Sequence, residues 1–399
     1  PLLCIDSYKL GHMTMYPTST ERVYCNLTPR STRHFDKGAV PEYNDGLIVS
    51  YGARLAMEDI QESFDMNFFN RPLKGVLAEF KEAVLPFVGD NSVEVLLANV
   101  TKLHKLGYLP LIVKWIPEGT LIPEGIPMLT ITNTDPEFAW LPNYLETYIS
   151  SETWKRATSA TVARMYRKIC EDYAIKTCDD SFHIPYQCHD FSCRGMSTME
   201  DAIKTGTGHL TQFQGSDSIG SAQLIKNIYS SMALVACSVP ATEHSVMCLG
   251  SSSETEVETF RRLIKQYNKG IVSIVSDTWD FWDTITVKAL ELKDEILARE
   301  EDSLGLSKVV FRPDTGNPAD VICGDSNAPE GSPEAKGAIE CLWDIFGGTV
   351  NNKGYKVLNP KVGLIYGDSI TPQRAQDILQ RLMDKGFASS NIVFGVGLS

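Results

Sequence analysis

Two spacings of apolar residues alternate along the second half of the chain. Short apolar runs, the length of buried strands, occupy residues 271–275, 309–311, 362–366 and 391–394. Weaker runs lie around 186–188, at 210–213 and at 233–236. Between them, apolar residues recur at helical spacing. The capping-box patterns Ser197-Thr198-Met199-Glu200 and Ser253-Glu254-Thr255-Glu256 announce two of these helices. The second carries Val257, Phe260, Leu263, Ile264 and Tyr267 along one side. Thr371 as N-cap and Pro372 in the first turn open another, which Gly386 stops; its apolar face is Ala375, Ile378, Leu379, Leu382 and Met383. About seven strands separated by helices predict an α/β fold. Parallel strands joined by crossover helices put all their C-terminal ends on one face, as in an atypical α/β barrel with its site at the mouth. An open doubly wound sheet is the structural alternative.

The chain before about residue 178 has a different texture. Pro/Gly turns punctuate strand-like runs at 114–119 and 127–132, and Asp135-Pro136-Glu137 opens a helical stretch through Trp140, Leu141, Tyr144 and Leu145. Val162, Tyr166, Ile169 and Tyr173 line one face of a longer helix. We therefore expect two domains, an N-terminal α+β domain over 1–178 and the barrel over 179–399, which the chain of 399 residues is long enough to hold.

Charge and composition then narrow the partners. A formal net charge of -13 argues against nucleic acid, whose backbone needs a basic face. No apolar run approaches the roughly 20 residues of a membrane span, and no signal peptide is expected. The ten cysteines lack Cys-x-x-Cys or zinc spacing and read as reduced thiols of a cytoplasmic protein.

The strand ends carry the chemistry. Residues 309–311 run straight into Arg312-Pro313-Asp314-Thr315-Gly316-Asn317-Pro318, a fixed cation, a fixed anion and a turn. Arg offers a forked donor to phosphate, and Asp accepts from a ribose hydroxyl or holds magnesium. A structural ion pair capping a turn is the plain alternative. The other strand ends supply Asp190, Asp217, Glu243, Asp277 and Asp368, with Phe191, Arg194, His244, Gly367, Gly395 and Gly397. Acids facing one another repel unless cations and hydroxyls lie between them, and a magnesium-bound sugar phosphate supplies both. Glycines let backbone N–H groups approach a phosphate, and the helix starting at Pro372 points its positive end the same way. Phe191 beside Arg194 suits a flat ring carrying positive charge.

These residues resemble the nicotinamide phosphoribosyltransferases, dimeric type II phosphoribosyltransferases. The matching stretches are Asp6-Ser7-Tyr8-Lys9, Asn133-Thr134-Asp135-Pro136-Glu137, His189-Asp190-Phe191 with Arg194-Gly195, and Gly215-Ser216-Asp217. They continue through Ser238-Val239-Pro240-Ala241, Glu243-His244-Ser245, Val275-Ser276-Asp277, Arg312-Pro313-Asp314 with Gly316-Asn317-Pro318, and Gly367-Asp368. The resemblance implies transfer of phosphoribosyl from phosphoribosyl diphosphate to nicotinamide, giving nicotinamide mononucleotide and diphosphate in NAD salvage. It implies that Phe191 and the Tyr8 contributed by a second copy sandwich the ring, with Asp217 accepting from the carboxamide. Arg194 and Arg312 would line the ring and the sugar phosphate, and Asp277 and Asp314 would hold the magnesium diphosphate. Gly367 and Asp368 would meet the ribose and its phosphate, Arg30 from the second copy would lie near the diphosphate, and His244 would be transiently phosphorylated by ATP. Ser238, Ala241, Ser273, Gly395 and Gly397 complete the implied substrate-binding set, in a homodimer with shared active sites whose interface draws on the N-terminal domain.

The family continues past its glycine-rich phosphate loop, whereas this sequence stops at Gly395-Val396-Gly397-Leu398-Ser399 and does not begin with Met, so an incomplete record is expected. The nearest rival is a nicotinate- or quinolinate-type transferase, whose substrate carboxylate would want a cation where Asp217 stands. A catalytically inactive relative acting as a binding protein is the rival from another class. Retention of His244, Asp277, Arg312 and Asp314 argues against it.

Overall fold

The computed structural model describes residues 1–33 and 41–397. They form two compact units, one of residues 1–33 with 46–161 and one of 41–45 with 162–397. The division falls inside the helix Glu146–Thr177, whereas the change of texture in the sequence comes at 178.

The first unit holds strands β1 (Tyr24–Leu27), β2 (Leu47–Val49), β3 (Leu111–Trp115), β4 (Leu121–Pro123) and β5 (Leu129–Asn133). β5 lies between β1 and β3, antiparallel to both, and β2 pairs with β4. Along β5, Leu129, Ile131 and Asn133 are buried and the two threonines between them are not, the period-2 pattern of a sheet with one covered face. The helices Ala53–Phe64, Leu73–Val88 and Asp90–Leu106 contribute Phe64, Phe80, Val100 and Leu103 to the core that includes Ile131. The helical stretch expected after Asp135 is a 3-10 turn, Pro136–Phe138, followed by the short helix Leu141–Tyr144, and the Asp135 carboxylate accepts from the Glu137 amide at 2.9 Å.

The second unit holds β6 (Cys188–Asp190), β7 (Val272–Val275), β8 (Val309–Arg312), β9 (Gly348–Val350), β10 (Lys356–Leu358), β11 (Val362–Tyr366) and β12 (Ile392–Val396). Five of these form a parallel sheet in the order β6-β12-β11-β8-β7, and β9 pairs with β10 apart from it. The register places Val309, Phe311, Val362, Leu364, Tyr366, Ile392, Phe394 and Cys188 on one face, all buried in the core. Phe311 stacks there on Phe260 of the helix Glu256–Gln266, with ring centroids 6.1 Å apart. The opposite face carries His189, Ser273, Val310, Arg312, Gly363 and Gly395. Tyr166, Ile169 and Tyr173 are buried as their spacing predicts.

The regular ladder has five strands, not seven. The runs at 210–213 and 233–236 are not strands. Leu210 ends the helix Met199–His209, and Phe213 is buried by stacking on His209. A run of four apolar residues can mark a buried anchor as readily as a strand. Single parallel bridges replace the missing ladders: Asp190 with Ser216, Gly215 with Cys237, and Ala241 with Ser273. Hydrogen bonds thus run from β6 through 214–217 to 237–242 and on to β7.

Both caps are displaced. Thr198, not Ser197, caps its helix by accepting from the Asp201 amide. Thr255 and Glu258 form the second box, because Glu256 turns inward to an ion pair with Lys288 at 2.7 Å. Tyr267, expected on the buried side, is the C-cap and is exposed. Thr371 caps the helix Pro372–Asp384 as expected, and Ala375, Ile378, Leu379 and Leu382 are its buried residues. Thr255→Ala should lower the unfolding free energy by about 1 kcal/mol, while Ser253→Ala, at an exposed turn position, should change it by less than about 0.5 kcal/mol. Urea denaturation of both variants checks this; equal losses would return the cap to Ser253.

Candidate active site

The C-terminal ends of β7 and β8 meet in a closed network. Asp277, two residues beyond β7, has a side chain only 4% exposed, and its Oδ2 accepts from the Asp314 amide at 2.9 Å and from the Thr315 hydroxyl. Its Oδ1 lies 3.0 Å from Nε2 of His244, the first residue of the helix His244–Gly250, whose imidazole is half-exposed. Burial works to raise the Asp277 pKa, but the hydrogen bonds from Thr315, Asp314 and His244 outweigh it, and the carboxyl lies below the usual aspartate value. An ionised Asp277 only accepts, so Nε2 of His244 carries the hydrogen.

Arg312 closes β8. Its Nε and Nη2 donate to the two carboxylate oxygens of Asp314 at 3.2 and 3.0 Å, and its guanidinium carbon lies 5.4 Å from the centroid of the Phe191 ring. Asp314 therefore joins the two halves of the network, its amide to Asp277 and its carboxylate to Arg312. The ion pair first considered as an alternative to a ligand site is present, and it presents its cation to an aromatic face.

Phe191 lies flat against two strands. A Cβ at Gly395 would come within 2.1 Å of its ring and one at Gly367 within 2.7 Å, so neither position accepts a side chain without displacing the phenyl group. The Phe191 amide donates to the Val396 carbonyl at 3.0 Å, fixing the backbone beneath it. His189, one step back on β6, packs on Gly215 in the same manner and meets Phe191 at 6.3 Å between ring centroids. Burial holds the His189 imidazole below its ordinary pKa, with the Asp217 carboxylate opposing.

Asp217 is exposed and accepts from the Ser238 hydroxyl at 2.6 Å. Ser273, paired through its backbone with Ala241, has a buried hydroxyl oxygen without a partner among the described residues. Asp368 accepts from Ser369 at 3.0 Å, and Gly397 is exposed just past β12. Tyr366 donates to the Gly316 carbonyl at 3.0 Å, tying the loop after Arg312 to β11. Arg194 is exposed in the turn Cys193–Gly195. Tyr8 and Arg30 belong to the first unit, where both are exposed and the Lys9 ammonium lies 5.4 Å from the Tyr8 ring.

Thr315 and Ser276 were not singled out in the sequence. Ser276 exchanges bonds with Arg312, its amide donating to the Arg312 carbonyl at 2.9 Å and its hydroxyl accepting from the Arg312 amide at 3.2 Å. The available signal was a hydroxyl residue beside each acid, Ser276-Asp277 and Asp314-Thr315.

Among the described residues no group of three or more His, Cys, Asp or Glu side chains could hold a metal ion by itself. Asp277 accepts from the Asp314 amide, and both carboxylates keep lone pairs, which fits a magnesium ion that takes its remaining ligands from phosphate and water.

A family model described as the nicotinate phosphoribosyltransferase (NAPRTase) family matches residues 186–399. The whole chain is 48% identical to a nicotinamide phosphoribosyltransferase of Acinetobacter baylyi, covering 78% of that protein. It is 37% identical over 99% of its length to a nicotinamide phosphoribosyltransferase of Mycoplasma pneumoniae, covering 84% of it. Human nicotinic acid phosphoribosyltransferase shares the fold, with a TM-score of 0.60 at 15% identity over 98% of this chain and 72% of that one.

Proposed function

The chain belongs to the nicotinate phosphoribosyltransferase family, and from that premise we propose that it joins nicotinamide to phosphoribosyl diphosphate, releasing nicotinamide mononucleotide and diphosphate. The observation that carries the choice of nicotinamide is Asp217. Ser238 donates to one of its oxygens and leaves the other to accept from a carboxamide N–H. The nicotinamide phosphoribosyltransferases at 48% and 37% identity favour the same substrate over nicotinate.

Phe191 offers its ring as a stacking surface for the pyridine, with the Arg312 guanidinium over the same ring. The ring nitrogen attacks the anomeric carbon as the bond to diphosphate breaks, through an oxocarbenium-like state. Asp277 and Asp314 place negative charge beside that state, and they are the residues that would hold magnesium, which neutralises the leaving diphosphate when bound. Arg194 and Arg312 would serve the sugar phosphate. Gly367 and Asp368 would meet the ribose and its phosphate, with Gly395 and Gly397 keeping the backbone open to them. The orphan Ser273 hydroxyl, with Ala241 beside it, would gain a partner from the bound ring.

His244 is positioned for a second task. With Nε2–H held by Asp277, its Nδ1 lone pair is the nucleophile that would attack the γ-phosphorus of ATP, forming the N–P bond as the bond to ADP breaks. Hydrolysis of that phosphohistidine would couple ATP to product formation. We further propose a homodimer. Ile219, Met232, Leu234, Leu249 and Trp279 are exposed apolar side chains of the second unit, a set that a second copy would cover. The second copy would bring Tyr8 and Arg30.

Three measurements test this reading. An ionised Asp217 repels a nicotinate carboxylate, and a site built around a substrate hydrogen bond discriminates on the order of 10⁴-fold. Steady-state kinetics should therefore show strong preference for nicotinamide, and Asp217→Ser should narrow the gap mainly through lost nicotinamide turnover; an unchanged ratio removes Asp217 from this role. Incubation with γ-labelled ATP should leave acid-labile label on the protein that His244→Ala abolishes, and equal labelling of the variant would end the phosphohistidine proposal. Mixed Tyr8→Ala and Asp314→Ala chains, each inactive alone, should regain activity once subunits exchange. Exchange without recovery would show that the site is not shared.

A further inference from the structure

One seam in the wall of the site, between β6 and the segment 214–217, lacks a regular ladder. β6 is three residues long, and its link to that segment is the single Asp190–Ser216 bridge, with the Asp190 amide donating to Gly215 O at 3.2 Å and the Asp217 amide to Asp190 O at 3.1 Å. Phe191 leaves one side of this seam and Asp217 the other. The width of the seam therefore sets the distance between the aromatic surface and the carboxylate that would hold the carboxamide.

A side chain outside the site spans the same seam. His209, the last residue of the helix Met199–His209, is fully buried. Its Nε2 lies 2.9 Å from the carbonyl oxygen of Gly215 and 3.2 Å from that of Cys188. Carbonyl oxygens only accept, so Nε2 carries the hydrogen and shares it between the two segments. Stacking on buried Phe213, with centroids 5.2 Å apart and planes 23° from parallel, fixes the ring plane. Nδ1 is buried with no partner among the described residues, and nothing there draws the ring away. Burial holds the imidazole below its ordinary pKa against the opposing Asp190 carboxylate, which keeps it neutral.

We propose that His209 is a positioning residue, whose shared Nε2 hydrogen sets the gap between Phe191 and Asp217 and thereby the fit of nicotinamide. The proposal rests on the nicotinamide reading given above. It accounts for a polar ring in a site that apolar packing would otherwise fill, and for its contact with two carbonyls that lack a continuous ladder between them.

Gln and Asn separate this role from a merely structural one. The amide nitrogen of Gln reaches the place of Nε2, whereas that of Asn reaches only the place of Nδ1. His209→Asn should raise the KM for nicotinamide about tenfold, the worth of a lost buried hydrogen bond, with the KM for phosphoribosyl diphosphate within about twofold. His209→Gln should return the nicotinamide KM toward that of the parent. Thermal melts of both report folding separately. A common rise in both KM values, or equal KM values for Asn and Gln, overturns the proposal. A Gln chain that does not fold assigns His209 to folding alone and overturns it too. A parent enzyme without nicotinamide turnover instead defeats the substrate reading on which the proposal rests.

Discussion

The contact on which the site depends is the one between Phe191 and the backbone at Gly395 of β12 and at Gly367, just past β11. A ring can lie this close to two neighbouring strands only where both present hydrogen in place of a methyl group, and Gly367 and Gly395 do so. Every other placement follows from it. With the phenyl group seated there, the Arg312 guanidinium lies 5.4 Å from its centroid, and Arg312 in turn is held by Asp314. Without it the guanidinium would lose its aromatic neighbour and the two glycines would leave a void, which close-packed interiors do not tolerate.

The acids at the ends of β7 and β8 are each held by donors. Asp277 collects an amide, a hydroxyl and an imidazole, and Asp314 collects a guanidinium. Each carboxylate thus spends part of its hydrogen-bonding capacity on the protein and keeps part for a ligand. Hydroxyl groups do most of the connecting work, with Thr315, Ser276 and Ser238 each touching a residue that carries charge or fixes one that does. Thr315 and Ser238 donate to carboxylates and stabilise an anion without adding a cation, whereas Ser276 accepts from the Arg312 amide.

Much of this was legible in the sequence, and the reasons for the rest are physical. Continuous apolar runs at 271–275, 309–311, 362–366 and 391–394 marked strands buried on both faces, and the acids closing those runs had to fall on one side. The runs at 210–213 and 233–236 misled because Phe213 is an anchor for His209, an apolar role with no fixed backbone shape. The caps fall at Thr198 and Thr255 instead of Ser197 and Ser253, and in the second Glu256 is taken by its ion pair with Lys288. Asp314 and Arg312 are two positions apart and were read as a pair. Asp277 with His244, and His209 with Gly215 and Cys188, depend on how the chain returns to itself, which local spacing does not encode.

The order of strands in the parallel sheet bears on how the chain acquires its shape during synthesis. β6 has no regular ladder partner except β12, the last strand of the sheet and some two hundred positions later, while β7, β8 and β11 pair in the order in which they are made. A ribosome therefore releases β6, with Phe191 just beyond it, long before the strand that will hold it exists. Until β12 emerges, the edge of β6 is open and the glycine of that strand is not there to receive the ring. The middle strands can pair as they are made, but the aromatic wall waits for β12, made some two hundred positions after β6.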